Sequence, residues 1–182
     1  KTTLCRRLAD EDEAIYSTSC TTRPSRKGER DGHDYHFLTR ETFEQKVTNG
    51  EFLEYAEVHG NLYGTLKTEV LDHLAKGIDV VMDIDVQGAA QVRSCADTSI
   101  KAALVDVFVM PHTEDELLKR LTGRGSDSQD VIALRMKNAL GEISHCPHYT
   151  YRLLSDTREQ DYHQFKSLII AERLKISRLE KP

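Results

Sequence analysis

Two segments of the chain are apolar on both faces, and they restrict its fold more than any other feature. Residues 80–84 and 102–110 have the composition of parallel strands that are buried on both sides of a sheet. Segments with regular periodicity surround them: helices at 2–9, 39–49, 67–76, 113–121, after 129 and at 162–173, and strands at 15–19 and 151–154. This alternation predicts an α/β fold with a doubly wound parallel sheet, whose ligands bind beyond the carboxyl ends of the strands.

One region interrupts the alternation. Residues 52–58 and 62–64 mix aromatic, aliphatic and polar side chains around a turn at 59–61, which predicts a β-hairpin. We therefore expect residues 33–65 to form a small antiparallel lobe, and a cleft to lie between this lobe and the sheet.

Composition and charge exclude several classes of protein. The chain has 182 residues, enough for one domain, and a net charge of −5, which argues against an extended basic face for nucleic-acid polymers. No apolar run reaches the ~20 residues of a membrane span. The four cysteines have no paired spacing, so neither a disulfide framework nor a structural zinc site is indicated. We expect a cytoplasmic protein without a membrane partner, either a monomer or a homodimer.

Residues 19–37 contain two arginines and a tyrosine that can converge on one small anion. Arg23 and Arg26 are three residues apart across Pro24, and Tyr35 follows a glycine-bearing turn. A planar guanidinium binds phosphate oxygens two at a time, so a phosphate is the simplest anion for this stretch. A solvated surface loop would have the same composition. Two further features favour the phosphate site.

These features are the start of the chain and the end of the apolar strand at 80–84. Lys1-Thr2-Thr3 is similar to the tail of a phosphate-binding loop, and the helix after it would direct its positive end at a phosphate. We expect further residues before Lys1, which would supply an N-terminal strand and the glycine loop. Asp83 ends a buried strand, where a carboxylate requires an ion pair or a metal shell.

In this order and spacing, the motifs resemble those of guanylate kinase, the nucleoside-monophosphate kinase that transfers a phosphoryl group from ATP to GMP. The resemblance covers nearly the whole chain, at residues 1–3, 19–37, 51–55, 63–65, 83–88 and 120–125. It implies a single domain over residues 1–182 with a P-loop kinase fold. The implied parts are a core (1–32, 66–122 and 136–182), a GMP-binding lobe (about 33–65) and a lid (about 123–135).

The resemblance assigns one group of residues to GMP, or equally to dGMP. The phosphate would be held by Arg23, Arg26, Tyr35 and Tyr63, and the remaining contacts would come from Ser19, Glu29, Glu54, Thr65, Asp83 and Asp85. The two oxygens of Glu54 match the adjacent N–H donors of guanine, a pair that adenine lacks. Glu29 fits a pairing with either an arginine or a ribose hydroxyl. The alternatives are an exposed strand carboxylate for Glu54 and a core aromatic for Tyr63.

A second group is assigned to ATP and to catalysis. The ATP-binding residues would be Lys1, Thr2, Thr3, Arg120 and Arg124, and the catalytic residues Lys1, Arg120, Arg124 and Arg135. The implied cofactor is Mg²⁺, with the Thr2 hydroxyl as a direct ligand and Asp83 in contact through water. Ser155 departs from the asparagine that is common at its position in the family, which leaves the contact to the adenine of ATP open.

The implied activity is the reversible, Mg²⁺-dependent transfer of the γ-phosphoryl group of ATP to GMP, giving ADP and GDP. The main alternative is a non-catalytic guanylate-kinase-like module that binds phosphorylated peptides. Such a module could keep Arg23, Arg26 and Tyr35, but it would not need the residues assigned to ATP. A kinase for another monophosphate is a closer alternative, and Glu54 argues against AMP.

Overall fold

The described part of the molecule has mixed α/β structure, in agreement with the predicted class. The computed structural model describes residues 1–58, 60–122 and 129–178. The chain divides into two compact units, Lys1–Leu104 and Val105–Pro182. The predicted division into core, lobe and lid stays a prediction, and residues 123–128 of the predicted lid, including Arg124, lie outside the described residues.

The first unit contains five helices and six strands among the residues described. In chain order these are α1 (Thr2–Asp10), β1 (Ile15–Tyr16), β2 (Cys20–Thr21), β3 (His36–Phe37), α2 (Arg40–Thr48), β4 (Phe52–Val58), β5 (Asn61–Leu66), α3 (Lys67–Leu74), β6 (Val80–Val81), α4 (Val86–Ser94) and α5 (Thr98–Ala103). The hairpin is confirmed, since β4 pairs with β5 in antiparallel register. Thr39 caps α2 as its sequence predicts, by accepting a hydrogen bond from the backbone of Thr42.

The strand predicted over 15–19 is wrong in its extent. β1 pairs in parallel with β6, and β2 then pairs with β5, so the chain changes sheets between Tyr16 and Cys20. β3 is parallel to β2 because the intervening loop returns the chain to the same end of the sheet. The resulting four-stranded sheet, in the order β3-β2-β5-β4, is therefore mixed rather than antiparallel, and it begins before residue 33.

Strand β4 lies between two apolar clusters. Phe52 packs with Cys20, Phe43 and Leu62, and its ring stacks on Phe43 with centroids 4.3 Å apart. Leu53 belongs to the other cluster, with Val70, Val92 and Ile100. The pairing register shifts between Phe52 and Glu54, which places Glu54 opposite Thr65 on β5. This bulge directs a carboxylate into the interior directly after two core residues.

Two helices occupy residues for which no helix is predicted. The strand expected at 80–84 pairs only through Val80–Val81, and Asp85 caps α4 by accepting a hydrogen bond from the backbone of Gly88 at 2.8 Å. Asp97 caps α5 in the same way, through Ser99 and Ile100. The strand predicted at 102–110 therefore begins too early, because Ala102 and Ala103 complete α5.

The second unit contains a parallel pair of strands and three helices among its described residues. These are β7 (Val107–Pro111), α6 (Glu114–Thr122), α7 (Gln129–Ile143), β8 (Tyr151–Ser155) and α8 (Arg158–Arg173), with short 3-10 turns at Cys146–His148 and Ile176–Arg178. Thr113 caps α6, as predicted. Thr157 caps α8, which begins at Arg158, four residues before the predicted start at 162. No helix among the described residues is both long and apolar enough to cross a membrane.

Candidate active site

The residues assigned to the donor phosphates meet at the start of α1. The Lys1 ammonium nitrogen lies 3.4 Å from Asp83 Oδ1 and donates to the backbone oxygen of Ile84 at 3.0 Å. The Thr2 hydroxyl donates to the other oxygen of Asp83. Thr3 is exposed on the first turn of the same helix. Thus α1 and the segment after β6 place a cation, a hydroxyl and a carboxylate together.

The charge of the Asp83 carboxylate acts on two partly buried groups of the same unit, Cys5 and Tyr16. Burial raises the pKa of Cys5 to about 12, and the negative charge of Asp83 adds to this shift. Burial likewise raises the pKa of Tyr16 to about 12, again with a contribution from Asp83. Both groups are therefore protonated at neutral pH, and the positive charge beside Asp83 comes from Lys1.

The predicted phosphate-binding arginine Arg23 is held by a carboxylate. Its Nη2 lies 2.8 Å and 3.1 Å from the two oxygens of Glu29, and Glu29 also accepts the backbone N–H of Arg26 at 2.7 Å. Glu29 thus pairs with an arginine, one of the two alternatives that its sequence position allows. The side chain of Arg26 is exposed. The Glu29 hydrogen bond raises the pKa of Arg23, so this guanidinium stays charged.

Two tyrosines complete this cluster. The Arg23 guanidinium carbon lies 5.5 Å from the centre of the Tyr35 ring, and the rings of Tyr35 and Tyr63 meet edge to face with centroids 6.1 Å apart. Burial raises the pKa of Tyr35, with contributions from Tyr63 and, more weakly, Asp83. The Tyr35 hydroxyl is therefore protonated at neutral pH and can donate a hydrogen bond.

Glu54 is buried, with 6% of its surface exposed, so the alternative of an exposed strand carboxylate is wrong. Burial raises the pKa of Glu54; the neighbouring Thr65 hydroxyl opposes the shift, and the charge of Asp85 adds to it. The Thr65 hydroxyl completes no hydrogen bond of good geometry with the described residues, and neither does the buried hydroxyl of Ser17. A buried carboxylate beside the Thr65 hydroxyl is suited to a ligand that supplies donors and acceptors.

Gly88 makes room for the Glu54 carboxylate. A Cβ atom at Gly88 would lie 2.6 Å from Glu54 Oε2, so a larger residue would displace the carboxylate. Helix α4 is fastened to β4 one turn further along, where the Gln91 side chain donates to the Tyr55 carbonyl at 2.7 Å and accepts the Tyr55 N–H at 3.1 Å. The sequence gives no sign of either contact, because each joins segments more than thirty residues apart.

The other residues assigned to the base lie on the elements around Glu54. Asp85 is the cap of α4, and its Oδ1 accepts the backbone N–H of Gly88. Ser19 lies between β1 and β2 and is half-buried, and its carbonyl accepts the backbone N–H of His36 at 2.9 Å. The first unit therefore contains every residue that the sequence assigns to GMP, and three of those assigned to ATP.

In the second unit, Arg120 is fixed by the end of β8. Its Nη1 donates to the Ser155 hydroxyl at 3.0 Å, and its Nη2 donates to the Ser155 carbonyl at 3.0 Å and to Glu116 at 3.3 Å. Arg135 lies half-buried on α7. The contact between Ser155 and Arg120 joins positions 35 residues apart and is not evident from the sequence, in which Ser155 stands at the position of the family's adenine contact.

The oxygen atoms around Thr2 suit a magnesium ion. Mg²⁺ prefers oxygen ligands and is usually bound by one or two carboxylates together with substrate phosphates. Thr2 and Asp83 offer a hydroxyl and a carboxylate that already contact each other. The described residues contain no group of three or more histidine, cysteine or acidic side chains placed to hold a metal. Waters and substrate phosphates are the other usual ligands of Mg²⁺.

Comparisons with known proteins agree with these features. The family model described as guanylate kinase matches residues 1–172. A guanylate kinase of Syntrophotalea carbinolica is 42% identical over 98% of this chain and 83% of its own length. That of Aliivibrio fischeri is 48% identical over 87% of this chain and 74% of its own length.

A solved structure gives the same result. The crystal structure of guanylate kinase from Anaplasma phagocytophilum superposes with a TM-score of 0.79 at 33% identity, covering 97% of this chain and 84% of that one. The resemblance drawn from the sequence motifs is thereby confirmed. The chain belongs to the guanylate kinase family.

Proposed function

We propose that the chain is an ATP:GMP phosphotransferase that acts on GMP, and also on dGMP, with Mg²⁺ as cofactor. The observation that carries this proposal is the buried Glu54 carboxylate, placed in the same unit as the arginine–tyrosine cluster of Arg23, Tyr35 and Tyr63. A buried carboxylate with a raised pKa is costly unless a ligand supplies donors to it. The adjacent N1–H and N2–H₂ groups of guanine are such donors.

The acceptor phosphate needs positioning more than activation. The second pKa of a phosphomonoester is about 6, so the attacking oxygen is already ionised at neutral pH and no strong general base is required. Arg23 carries a fixed positive charge, and the neighbouring Tyr35 and Tyr63 each carry a hydroxyl that can donate a hydrogen bond. In this proposal these groups hold the phosphate while Glu54 holds the base, and the nucleotide is thereby aligned for in-line transfer.

The donor phosphates are assigned to the start of α1. Lys1 supplies a cation there, and Mg²⁺ would be held directly by Thr2 and through water by Asp83. When bound, Mg²⁺ would neutralise charge on the transferring phosphoryl group. Arg120, Arg124 and Arg135 are proposed to add further positive charge from the second unit. The finer fold assignment, a P-loop kinase with one doubly wound parallel sheet and a lid, belongs to the same proposal; the parallel pairs β1–β6 and β7–β8 support it.

The alternative of a phosphopeptide-binding module receives no support from the comparisons, whose matched relatives are named as kinases. It also leaves the buried Glu54 without a partner. A phosphorylated side chain could occupy the arginine–tyrosine cluster, but it would bring no donor pair to the carboxylate. The joint placement of Lys1, Thr2 and Asp83 would likewise have no purpose.

A coupled assay of ADP formation tests this proposal. The full-length protein would be assayed with ATP and Mg²⁺ against GMP, dGMP, AMP, CMP and UMP, with a chelator as control. We expect turnover with the two guanine nucleotides, at least about tenfold lower kcat/KM with AMP, and no turnover after chelation. Equal turnover with AMP, or calorimetric binding of a phosphopeptide without ATP consumption, would contradict the proposal.

A further inference from the structure

A chain of hydrogen bonds in the second unit joins a buried carboxylate to Arg120. The Ser155 hydroxyl lies 2.6 Å from Asp161 Oδ2 on one side and 3.0 Å from Arg120 Nη1 on the other. Asp161 has 8% of its surface exposed, and Ser155 has 7%. Arg120 is partly exposed at the other end of this chain, with 42% of its side chain accessible. A buried anion is thus connected to a cation that can reach a ligand.

The direction of each hydrogen bond follows from the chemistry of the groups. A guanidinium only donates, and a serine hydroxyl has one proton. Ser155 must therefore accept from Arg120 and donate its proton to Asp161. The second oxygen of Asp161 accepts the backbone N–H of Asp156 at 2.7 Å, which fixes the orientation of the carboxylate. Ser155→Ala removes the hydroxyl that links Arg120 to Asp161. Asp161→Asn replaces one of the two acceptor oxygens of the carboxylate with a donor.

Three atoms around Arg120 fix the orientation of its guanidinium group. Besides the Ser155 hydroxyl, it contacts the Ser155 carbonyl at 3.0 Å and Glu116 at 3.3 Å. Glu116 is itself held, because it accepts the backbone N–H of His112 at 3.1 Å. Asp161 lies in the first turn of α8, where the helix dipole stabilises a negative charge. The acceptors are thus fixed by backbone groups, and the arginine side chain is ordered by them.

We infer that Asp161 and Ser155 are positioning residues that orient Arg120 for phosphoryl transfer. This inference rests on the proposed function, in which Arg120 neutralises charge on the transferring group. It also gives Ser155 a role other than a contact to adenine. An arginine with three rotatable methylene groups is otherwise spread over many conformations, and orienting it beforehand favours the transition state.

A double-mutant cycle distinguishes positioning from a general effect on stability. Wild type, Asp161→Asn, Arg120→Ala and the double variant would be compared for kcat and for the KM of ATP and GMP. We expect Asp161→Asn to lower kcat at least about tenfold while the KM for GMP changes less than about twofold. In the Arg120→Ala background the same substitution should lower kcat less than about twofold, because its target is gone.

Two controls accompany the cycle. Asp115→Asn makes the same chemical change at an exposed position on α6, and it should leave kcat unchanged. Ser155→Ala should repeat the effect of Asp161→Asn, whereas Ser155→Thr, which keeps the hydroxyl, should restore most of the activity. If Asp161→Asn does not fold, Ser155→Ala takes its place in the cycle with the same criteria.

Independent effects of the two substitutions, or a wild-type kcat in Asp161→Asn, would overturn the inference. Wild-type turnover with GMP in the same experiment would show that the proposed function stands even if the inference fails. A wild-type protein without turnover would overturn both.

Discussion

Glu54 is removed from water by the fold itself. The bulge in β4 places it opposite Thr65, and the absence of a side chain at Gly88 lets its carboxylate approach the first turn of α4. This arrangement leaves space for the Glu54 carboxylate, but the Thr65 hydroxyl beside it has no hydrogen-bond partner among the described residues. Burying this carboxylate costs free energy of folding, which fits its proposed role in binding the base of the nucleotide.

Replacing Glu54 tests its assignment to the base. Glu54→Gln keeps the shape but replaces one acceptor oxygen with an amide donor, which would face a donor of guanine. A hydrogen bond to a charged group contributes ~1.5–3 kcal/mol, so kcat/KM for GMP should fall at least tenfold. Activity with AMP should fall much less. Glu57→Gln, an exposed change on the same strand, is the matched control. Equal losses for both nucleotides would mean that Glu54 supports the hairpin instead.

The raised pKa of Glu54 also predicts how stability depends on pH. Between its ordinary pKa of 4.5 and the raised value, the native state retains a proton that the unfolded state releases. The contribution of this group to the free energy of unfolding is therefore complete below the ordinary pKa and is lost as the pH rises through the raised pKa. Glu54→Gln lacks this titration.

Urea denaturation without ligand, from about pH 4 to about pH 8, checks the sign. The free energy of unfolding of the wild type should decrease relative to that of Glu54→Gln as the pH rises. If the difference in the free energy of unfolding between the two proteins is the same at every pH, the carboxylate is not destabilised by burial. The same conclusion follows if the wild type becomes more stable relative to Glu54→Gln at high pH.

At the scale of elements, two helical glycines differ in their surroundings. Gly88 on α4 faces Glu54, whereas a Cβ at Gly141 on α7 would meet nothing within 4 Å. We expect Gly88→Ala to lower kcat/KM for GMP at least about tenfold, since the carboxylate must move. Gly141→Ala should leave kinetics unchanged and stabilise the protein by ~0.5–1 kcal/mol, the usual gain of alanine over glycine in a helix. Steady-state kinetics and urea denaturation of both variants check these two predictions. An unchanged kcat/KM for GMP in Gly88→Ala would contradict the first of them.

Elements with local signals could be predicted from the sequence, and elements defined by distant contacts could not. The hairpin and the caps at Thr39 and Thr113 depend on neighbouring residues, and all were predicted. The division of residues 15–21 between β1 and β2 depends on pairing with β6 and β5, more than forty residues away. Helix α4 was missed because Asp85 was assigned to a ligand, although it also caps the helix.

The same distinction applies to the candidate site. Charged residues such as Lys1, Arg23 and Glu54 could be predicted as site residues from motifs, because the charge of a side chain is known from its residue type alone. Gly88, Gln91 and Asp161 act through contacts with β4 or β8, so the sequence alone gives no reason to choose them. Arg124 lies outside the described residues, and its role stays a prediction.

In the whole molecule, the two proposed phosphate sites are built from different segments. Lys1 contacts Asp83 and Ile84, whereas Arg23 contacts Glu29 and Tyr35. We expect Lys1→Ala to lower kcat about a hundredfold or more, because a cation on the transferring group is lost, while the Kd for GMP changes less than about twofold. Calorimetry with GMP alone separates the two effects. A loss of GMP affinity as large as the loss of turnover would mean that the sites are not independent.

In the proposed function, this chain moves the terminal phosphoryl group of ATP onto GMP. The most direct test is to incubate the full-length protein with γ-labelled ATP, Mg²⁺ and unlabelled GMP, and to separate the nucleotide products from inorganic phosphate. The proposed function predicts that the label appears in GDP, in equal amount to the ADP formed, and that it does not appear in UDP when UMP replaces GMP. Label released as inorganic phosphate, or label found in protein or peptide instead of GDP, would contradict it.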